Sequence, residues 1–128
     1  MRKILVADDN PDILQVMQLL LHSRGFIVEA ISDGSEIFSK IESFAPGLIF
    51  LDVYLSSYDG RELCKQIKTC AITARLPIIL FSANKIKRST IIDSKADAFI
   101  SKPFDIHDLL GTIDSLLPAL PMSASMIA

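Results

Sequence analysis

Five polar residues stand at or just after the ends of short apolar runs: Asp8, Asp9, Asp52, Ser82 and Lys102. If the runs are neighbouring parallel strands, the three acids meet at one edge of a sheet and repel one another. Mg²⁺ relieves such repulsion, because it prefers oxygen ligands and usually combines one or two carboxylates with water and a phosphate oxygen. A carboxylate can also attack phosphorus and form an acyl phosphate. The combination predicts a Mg²⁺-dependent phosphoryl-transfer site without a bound nucleotide, with Lys102 as a further positive charge.

Each of these residues also has an ordinary structural explanation when it is considered alone. The segment Asp8-Asp9-Asn10-Pro11 could be a helix N-cap, because Asp and Asn side chains accept hydrogen bonds from first-turn amides. Asp52 could belong to a turn, Ser82 could cap the following helix, and Lys102 could be solvated. A cis bond between Lys102 and Pro103 would instead hold the lysine inward. The phosphoryl-transfer hypothesis therefore depends on the whole set.

Apolar runs alternate with stretches of helical periodicity along the chain. The runs cover residues 4–7, 27–31, 48–51, 78–81 and 98–100. The first four are dense enough in aliphatic and aromatic residues for strands buried on both faces, and the fifth is the weakest. Between the runs, apolar residues recur three and four positions apart, most clearly from Ile106 to Leu117. The pattern predicts an α/β flavodoxin-like (βα)5 fold, a doubly wound parallel five-stranded sheet whose functional crevice lies beyond the carboxyl ends of the strands.

Length and composition fit one folded domain. The chain has 128 residues, of which 50% are hydrophobic and 22% charged, so a disordered chain is excluded. We assign residues 1–118 to the domain. The apolar but aperiodic tail, residues 119–128, fits either a disordered end or the beginning of a further segment.

Charge and hydropathy exclude several classes of partner. The formal net charge of −2 gives no electrostatic support for binding nucleic acid. The first apolar run is too short for a signal peptide, and no run reaches the roughly 18 residues that a transmembrane helix needs. We therefore expect a cytoplasmic protein that contacts neither membrane nor nucleic acid.

The cysteines and histidines do not suggest a further site. Cys64 and Cys70 are six positions apart, which fits neither a CxxC redox pair nor a zinc site. We expect both to be small apolar core residues on one side of a helix. His22 and His107 have no acid–base partner in the sequence, so we expect them on the surface rather than in a phosphorelay.

Five segments occur in an order and spacing typical of one family: ILVADDNP at 4–11, LIFLD at 48–52, DG at 59–60, LPIILFSA at 76–83 and DAFISKPF at 97–104. Through them the chain resembles the receiver domain of two-component response regulators, of the stand-alone chemotaxis type. Each segment alone is loose, but the set is specific, and the resemblance extends over about residues 3 to 117.

The resemblance implies a phosphoacceptor and a metal site. Asp52 matches the residue that accepts the phosphoryl group. Asp9 matches the direct Mg²⁺ ligand, Asp8 the acid that acts through water, and the backbone carbonyl of Tyr54 a further ligand beside Asp52.

The resemblance also implies a switch. Lys102 matches the lysine that contacts the phosphoryl group, and Ser82 matches the hydroxyl that moves towards it. Phe99 matches an aromatic ring that turns inward with that hydroxyl, although it could equally be plain strand core.

The sequence departs from the family pattern in the loop after the acceptor. Ser56 stands where the family usually has proline, so we expect a more flexible loop. Tyr54 and Asn84 occupy the two variable positions beside the site, and we expect a phosphoryl lifetime longer than that of fast chemotaxis regulators. Gly47 and Lys95 replace a usual acid and a common glycine, away from the chemistry.

The resemblance implies that the chain signals by docking on another protein. The upstream partner would be a histidine kinase or a histidine phosphotransfer protein, and the output face would be the fourth helix, fifth strand and fifth helix. The fifth helix carries no Lys or Arg, so the charge-paired dimer of the transcription-factor branch is disfavoured and a monomer or weak dimer is expected. A merely solvated charged face is equally consistent with this pattern.

Four other interpretations of the sequence compete with this one. An enzyme with an aspartate nucleophile would need a second acid at the position of Tyr54, and nucleotide binding would need a glycine-rich phosphate loop after the first strand. We therefore expect no enzymatic activity beyond the chain's own phosphorylation and dephosphorylation. A degenerate receiver that docks without phosphate, or a fragment of a hybrid kinase or larger regulator, also fits parts of the sequence.

Overall fold

The computed structural model describes residues 2–117 of the chain. The strands are β1 (Lys3–Ala7), β2 (Ile27–Ile31), β3 (Leu48–Asp52), β4 (Tyr54–Leu55), β5 (Tyr58–Asp59), β6 (Ile78–Ser82) and β7 (Ala98–Ser101). The α-helices are α1 (Pro11–Ser23), α2 (Ile37–Phe44), α3 (Gly60–Thr69), α4 (Arg88–Ser94) and α5 (Ile106–Leu116), and a 3₁₀ turn at Gly34–Glu36 precedes α2. The tail that we assigned to residues 119–128 lies outside the described residues.

Five strands form one parallel sheet in the order β2-β1-β3-β6-β7. This is the flavodoxin-like strand order, so the predicted fold is confirmed. The five predicted runs became these strands with ends moved by no more than one residue. The short strands β4 and β5 form a separate antiparallel pair that the sequence did not indicate.

Two apolar clusters cover the two faces of the sheet. Successive side chains of a strand point to opposite faces, so Leu5 and Ala7 join one cluster while Ile4 and Val6 join the other. The first cluster packs against α2 and α3, and the second packs against α1 and α5. The sheet is therefore covered on both faces, and its edges and strand ends are left for polar groups.

The second strand is an edge strand, which corrects one expectation. β2 was predicted to be buried on both faces, but only Ile31 of its five residues is fully buried. A parallel strand pairs on both sides only when the topology places it inside the sheet, and β2 has a single neighbour, β1. Its composition resembles that of an inner strand because partly buried side chains such as Val28 still pack against the apolar clusters.

One cysteine also differs from expectation. Cys64 is buried in the cluster beneath α3, as predicted. Cys70 is exposed, because α3 ends at Thr69 and the following residue leaves the apolar side of the helix. Both histidines are exposed, as predicted, and no helix within residues 2–117 is long and apolar enough to cross a membrane.

Helix starts follow the turn signals of the sequence. The side chain of Asn10 accepts a hydrogen bond from the amide of Asp12, with Pro11 in the first turn of α1. Asp59 and Asp105 cap α3 and α5 in the same way. These caps begin three of the five helices directly beyond the carboxyl-end side of the sheet, where the polar strand ends lie.

Candidate functional site

The register of the sheet brings the ends of β1, β3, β6 and β7 side by side. Asp52 is the partner of Phe81 in the β3–β6 ladder, and Ser82 is the partner of Ser101 in the β6–β7 ladder. The amide of Lys102 continues the second ladder by donating to the carbonyl of Ser82, at 2.8 Å. The five polar residues predicted from the sequence therefore share one end of the sheet.

Three carboxylates converge at this end. Asp8, Asp9 and Asp52 each offer one oxygen, and these oxygens lie within 4.8 Å of one another. Asp8 and Asp52 are buried, whereas Asp9 is exposed. Asp8 does not cap α1, since the capping side chain is Asn10, and its carboxylate accepts a hydrogen bond from the Asn10 amide instead.

Lys102 places its ammonium group between the two buried acids. Its Nζ lies 2.7 Å from Oδ2 of Asp8 and 3.3 Å from Oδ2 of Asp52. The same Nζ lies 4.5 Å from the centre of the Phe81 ring, whose face attracts a cation. The Lys102-Pro103 bond is cis, as the sequence allowed. The lysine is thus not solvated but mostly buried against the acids.

Asp52 is held in an environment that opposes its charge. Burial raises its pKa to about 6, and the negative charge of Asp8 acts in the same direction. The amide of Tyr54, which donates to Oδ1 of Asp52 at 3.2 Å, and the charge of Lys102 lower the pKa and offset part of this rise. An additional cation would remove the remaining penalty for ionising Asp52.

Ser82 is buried at the end of β6 and does not cap the following helix. Its hydroxyl accepts a hydrogen bond from the amide of Asn84, while α4 begins later, at Arg88. Phe99 is partly buried against the cluster beneath α3. The side chain of Tyr54 is 48% exposed beside the site. The switch roles of Ser82 and Phe99 remain predictions.

A further contact at the site was missed by the sequence reasoning. Gly60 follows the acceptor loop, and a Cβ on this residue would overlap the backbone carbonyl of Asp52. Its amide donates to the carbonyl of Val53 at 2.7 Å. Asp59-Gly60 was singled out in the sequence only as a family segment, but the glycine also lets α3 begin directly against the acceptor.

The family model described as "Response regulator receiver domain" matches residues 4–114. This chain belongs to the response regulator receiver domain family. The match includes all of the polar residues discussed above, from Asp8 to Lys102. The resemblance that the sequence segments indicated is therefore confirmed for the family.

Curated relatives of this receiver domain include transcriptional regulators. It is 33% identical over 118 residues to the Bacillus subtilis alkaline phosphatase synthesis transcriptional regulatory protein PhoP, a match that covers 91% of this chain and 48% of that protein. It is 31% identical over 119 residues to the Synechocystis DNA-binding dual master transcriptional regulator RpaA, covering 91% and 49%. This receiver domain thus spans about half the length of these relatives.

Solved structures of similar chains include a protein of the chemotaxis type. Vibrio cholerae chemotaxis protein CheY4 superimposes with a TM-score of 0.84 at 27% identity, covering 91% of this chain and 99% of that chain. The signal receiver domain of a Syntrophus aciditrophicus signal transduction histidine kinase gives a TM-score of 0.85 at 27% identity, with coverage of 91% and 90%. The same fold is therefore found in regulators of several kinds.

Asp97, directly before β7, has two polar partners within this receiver domain. Oδ2 of Asp97 lies 2.9 Å from Nζ of Lys68 and also accepts a hydrogen bond from the amide of Ile78, at 2.8 Å. Two further contacts join α3 to α4, between Arg61 and Thr90 and between Lys65 and Asp93. Asp97 therefore joins the start of β6 to α3.

Proposed function

We propose that this receiver domain is a phosphorylation switch in which Asp52 accepts a phosphoryl group from a phosphohistidine. The observation that carries the proposal is the position of the Asp52 carboxylate, which is buried beside Asp8 and Lys102 at the open end of the sheet. The donor would be a histidine kinase or a histidine phosphotransfer protein, and the proposal includes the cytoplasmic location expected from the sequence.

The residues at this end of the sheet fit Mg²⁺. Three carboxylate oxygens within 4.8 Å form the hard-oxygen donor set that this ion prefers. Asp9, Asp52 and the backbone carbonyl of Tyr54 would hold the ion, with Asp8 acting through water. When bound, Mg²⁺ neutralises charge on the phosphoryl oxygens. The raised pKa of Asp52 supports the same assignment, since an acid that is buried beside another acid favours a nearby cation.

The transfer needs no other co-reactant. An ionised Oδ of Asp52 attacks phosphorus and forms the O–P bond, while the N–P bond of the donor breaks and its electron pair returns to the imidazole nitrogen. Lys102 holds a phosphoryl oxygen by charge, and the Ser82 hydroxyl donates a hydrogen bond to another. Hydrolysis of the acyl phosphate by water returns the carboxylate, and the chain catalyses no other reaction.

The signal would leave through the face formed by α4, β7 and α5. Phosphate would draw Ser82 towards the site, and Phe99 would fill the space behind it. Ile92 on α4 is 68% exposed and Ile106 at the start of α5 is 47% exposed, so this face offers apolar side chains to a partner protein. We propose a protein partner rather than nucleic acid, and a monomer or weak dimer.

The proposal is tested by measuring the intact mass of the protein after incubation with acetyl phosphate or a phosphorylated histidine phosphotransfer protein. We expect the mass of one phosphoryl group to be gained only with Mg²⁺, to be lost on treatment with hydroxylamine, and to be absent in Asp52→Asn. A chain that gains no phosphate from either donor and binds no Mg²⁺ would contradict the proposal and favour the degenerate, phosphate-independent docking module.

A further inference from the structure

The loop after the acceptor is a short hairpin rather than an irregular segment. β4 and β5 pair antiparallel, with Tyr54 opposite Asp59 and Leu55 opposite Tyr58. Leu55 is fully buried in the cluster beneath α3. The hairpin therefore begins two residues after Asp52, is anchored by an apolar side chain, and carries Ser56 at its tip. The flexibility expected of this loop from its missing proline stays a prediction.

The tip of the hairpin touches the metal site through its backbone. Ser56 has a φ of 51°, in the left-handed region that L-residues rarely adopt. Its amide donates a hydrogen bond to Oδ2 of Asp9 at 3.3 Å. Within residues 2–117, no other hydrogen bond to the Asp9 carboxylate is formed, so this exposed side chain is oriented by a single amide.

A second contact seats the hairpin from the other side. Tyr58 packs on Gly34 at the start of the 3₁₀ turn, so closely that a Cβ on Gly34 would lie 2.7 Å from Cγ of the tyrosine ring. No real Cβ contact is that short, so any side chain at Gly34 would displace the tyrosine. The hairpin is thus held between the buried Leu55 and the backbone of Gly34, and these contacts fix the position of its tip.

We propose that the Ser56 amide is a positioning group for the metal ligand Asp9, and that the Tyr58–Gly34 contact keeps this amide in place. The inference rests on the proposed function, in which Asp9 holds Mg²⁺. An exposed carboxylate otherwise samples several rotamers, and selecting one before binding lowers the entropy lost when the ion binds. The hydrogen bond occupies one lone pair of one oxygen and leaves the others for the ion.

Proline at position 56 provides the sharpest comparison. Proline has no amide hydrogen and its φ is fixed near −65°, so Ser56→Pro removes both the donor and the backbone conformation. Ser56→Gly keeps the amide and favours a positive φ. We would measure Mg²⁺ affinity by calorimetry on the unphosphorylated full chain. We expect Ser56→Pro to bind roughly two- to tenfold more weakly than wild type, the range of a single hydrogen bond, and Ser56→Gly to match wild type.

Gly34→Ala tests the same idea without a proline in the hairpin. By displacing Tyr58 it should weaken Mg²⁺ binding in the same direction, whereas Gly111→Ala, where no atom lies within 4 Å of the added Cβ, should not. At saturating Mg²⁺, Ser56→Pro should still reach the wild-type extent of phosphorylation. Equal Mg²⁺ affinities for wild type, Ser56→Pro and Gly34→Ala would overturn the positioning role while leaving the proposed function intact. A wild-type chain that binds no Mg²⁺ would overturn both.

Discussion

The surroundings of Asp52 favour its protonated form over its ionised form. Burial and the charge of Asp8 raise its pKa, and the contacts from Lys102 and the Tyr54 amide only partly compensate. A nucleophilic carboxylate must be ionised, so without an added cation the folded protein keeps its acceptor in an unfavourable charge state near neutral pH. Part of the folding free energy is therefore lost to the function of this residue.

The pH dependence of stability should expose this penalty. In the folded protein the pKa of Asp52 is about 6, above its ordinary value of 3.8, so the unfolded chain binds fewer protons between these values. This group therefore destabilises the fold as pH rises through that window. With EDTA present, we expect Asp52→Asn to exceed wild type in unfolding free energy by about 2 kcal/mol at pH 7.5, and the gap to close towards pH 4.

Urea unfolding at a series of pH values measures this gap. Mg²⁺ provides the control, because a bound cation favours the ionised form of the wild-type acid and should shrink the difference at pH 7.5. A gap that stays constant from pH 4 to pH 7.5 would show that the substitution acts through packing rather than through the charge of Asp52.

At the scale of elements, the junction between β3 and α3 is the most constrained part of the site. The chain passes from the acceptor through the hairpin and returns to the backbone of Asp52 at Gly60 within eight residues. The Gly60 amide bonds to Val53, and any Cβ at this position would enter the space of the acceptor's carbonyl. The glycine is thus needed for close approach of two backbones.

Two glycine substitutions in helices should have opposite effects. Gly60→Ala places a Cβ against backbone that cannot move without shifting Asp52, so we expect a loss of at least about 2 kcal/mol in unfolding free energy. Gly111→Ala lies inside α5 with open space around the added Cβ, so we expect a gain of about 0.5–1 kcal/mol from the lower flexibility of the unfolded chain. Urea denaturation measures both changes. Equal effects of the two substitutions would contradict the close-approach argument.

The long elements were predictable from the sequence because their periodicity and composition are strong. The parallel strands followed from dense apolar runs, and α1, α3 and α5 followed from apolar residues spaced three and four positions apart. The capping side chains of Asn10, Asp59 and Asp105 then fix where these helices begin. The hairpin was missed because strands of two residues have no periodicity to detect. The edge position of β2 depends on strand order, which the composition of one strand does not contain.

The convergence of the site was predictable, but its fine geometry was not. Parallel strands end at the same edge of a sheet, so Asp8, Asp52 and Lys102 had to be neighbours once the fold was assigned. The amide of Ser56 has no signature in the side-chain sequence, since any residue except proline carries it. Lys95 at the end of α4 is a second example. Its φ of 65° lies in the left-handed region that favours glycine, which explains why the family commonly has glycine at this position.

At the scale of the whole molecule, the two thiols lie in different environments, one inside an apolar cluster and one at the surface. Cys64 is fully buried with the side chains of α3, and burial raises its pKa to about 11. Cys70 is exposed after the helix end, and hydrogen bonds from the Ile72 amide and the Thr73 side chain lower its pKa. The thiolate is the reactive form, so the two residues should report on different parts of the fold.

Thiol labelling should resolve these environments. We expect one thiol of the folded protein to react rapidly with a disulfide reagent at pH 7.5, and Cys70→Ser to abolish this fast phase. The fast rate should level off at a lower pH than that of an ordinary thiol, because the pKa of Cys70 is lowered. Cys64 should react only as the cluster beneath α3 opens, and both thiols should react alike in denaturing urea. A fast phase that survives in Cys70→Ser would place Cys64 at the surface.

The ion pair between Lys102 and Asp8 joins residues 94 positions apart in the chain. A break in the chain at almost any point within that interval would separate the two members of the ion pair, whereas a break outside it would leave the site complete. The site therefore requires the whole sheet, from β1 to the end of β7, as one continuous segment. Such a unit can be joined to different neighbouring segments without redesign, in keeping with relatives about twice its length.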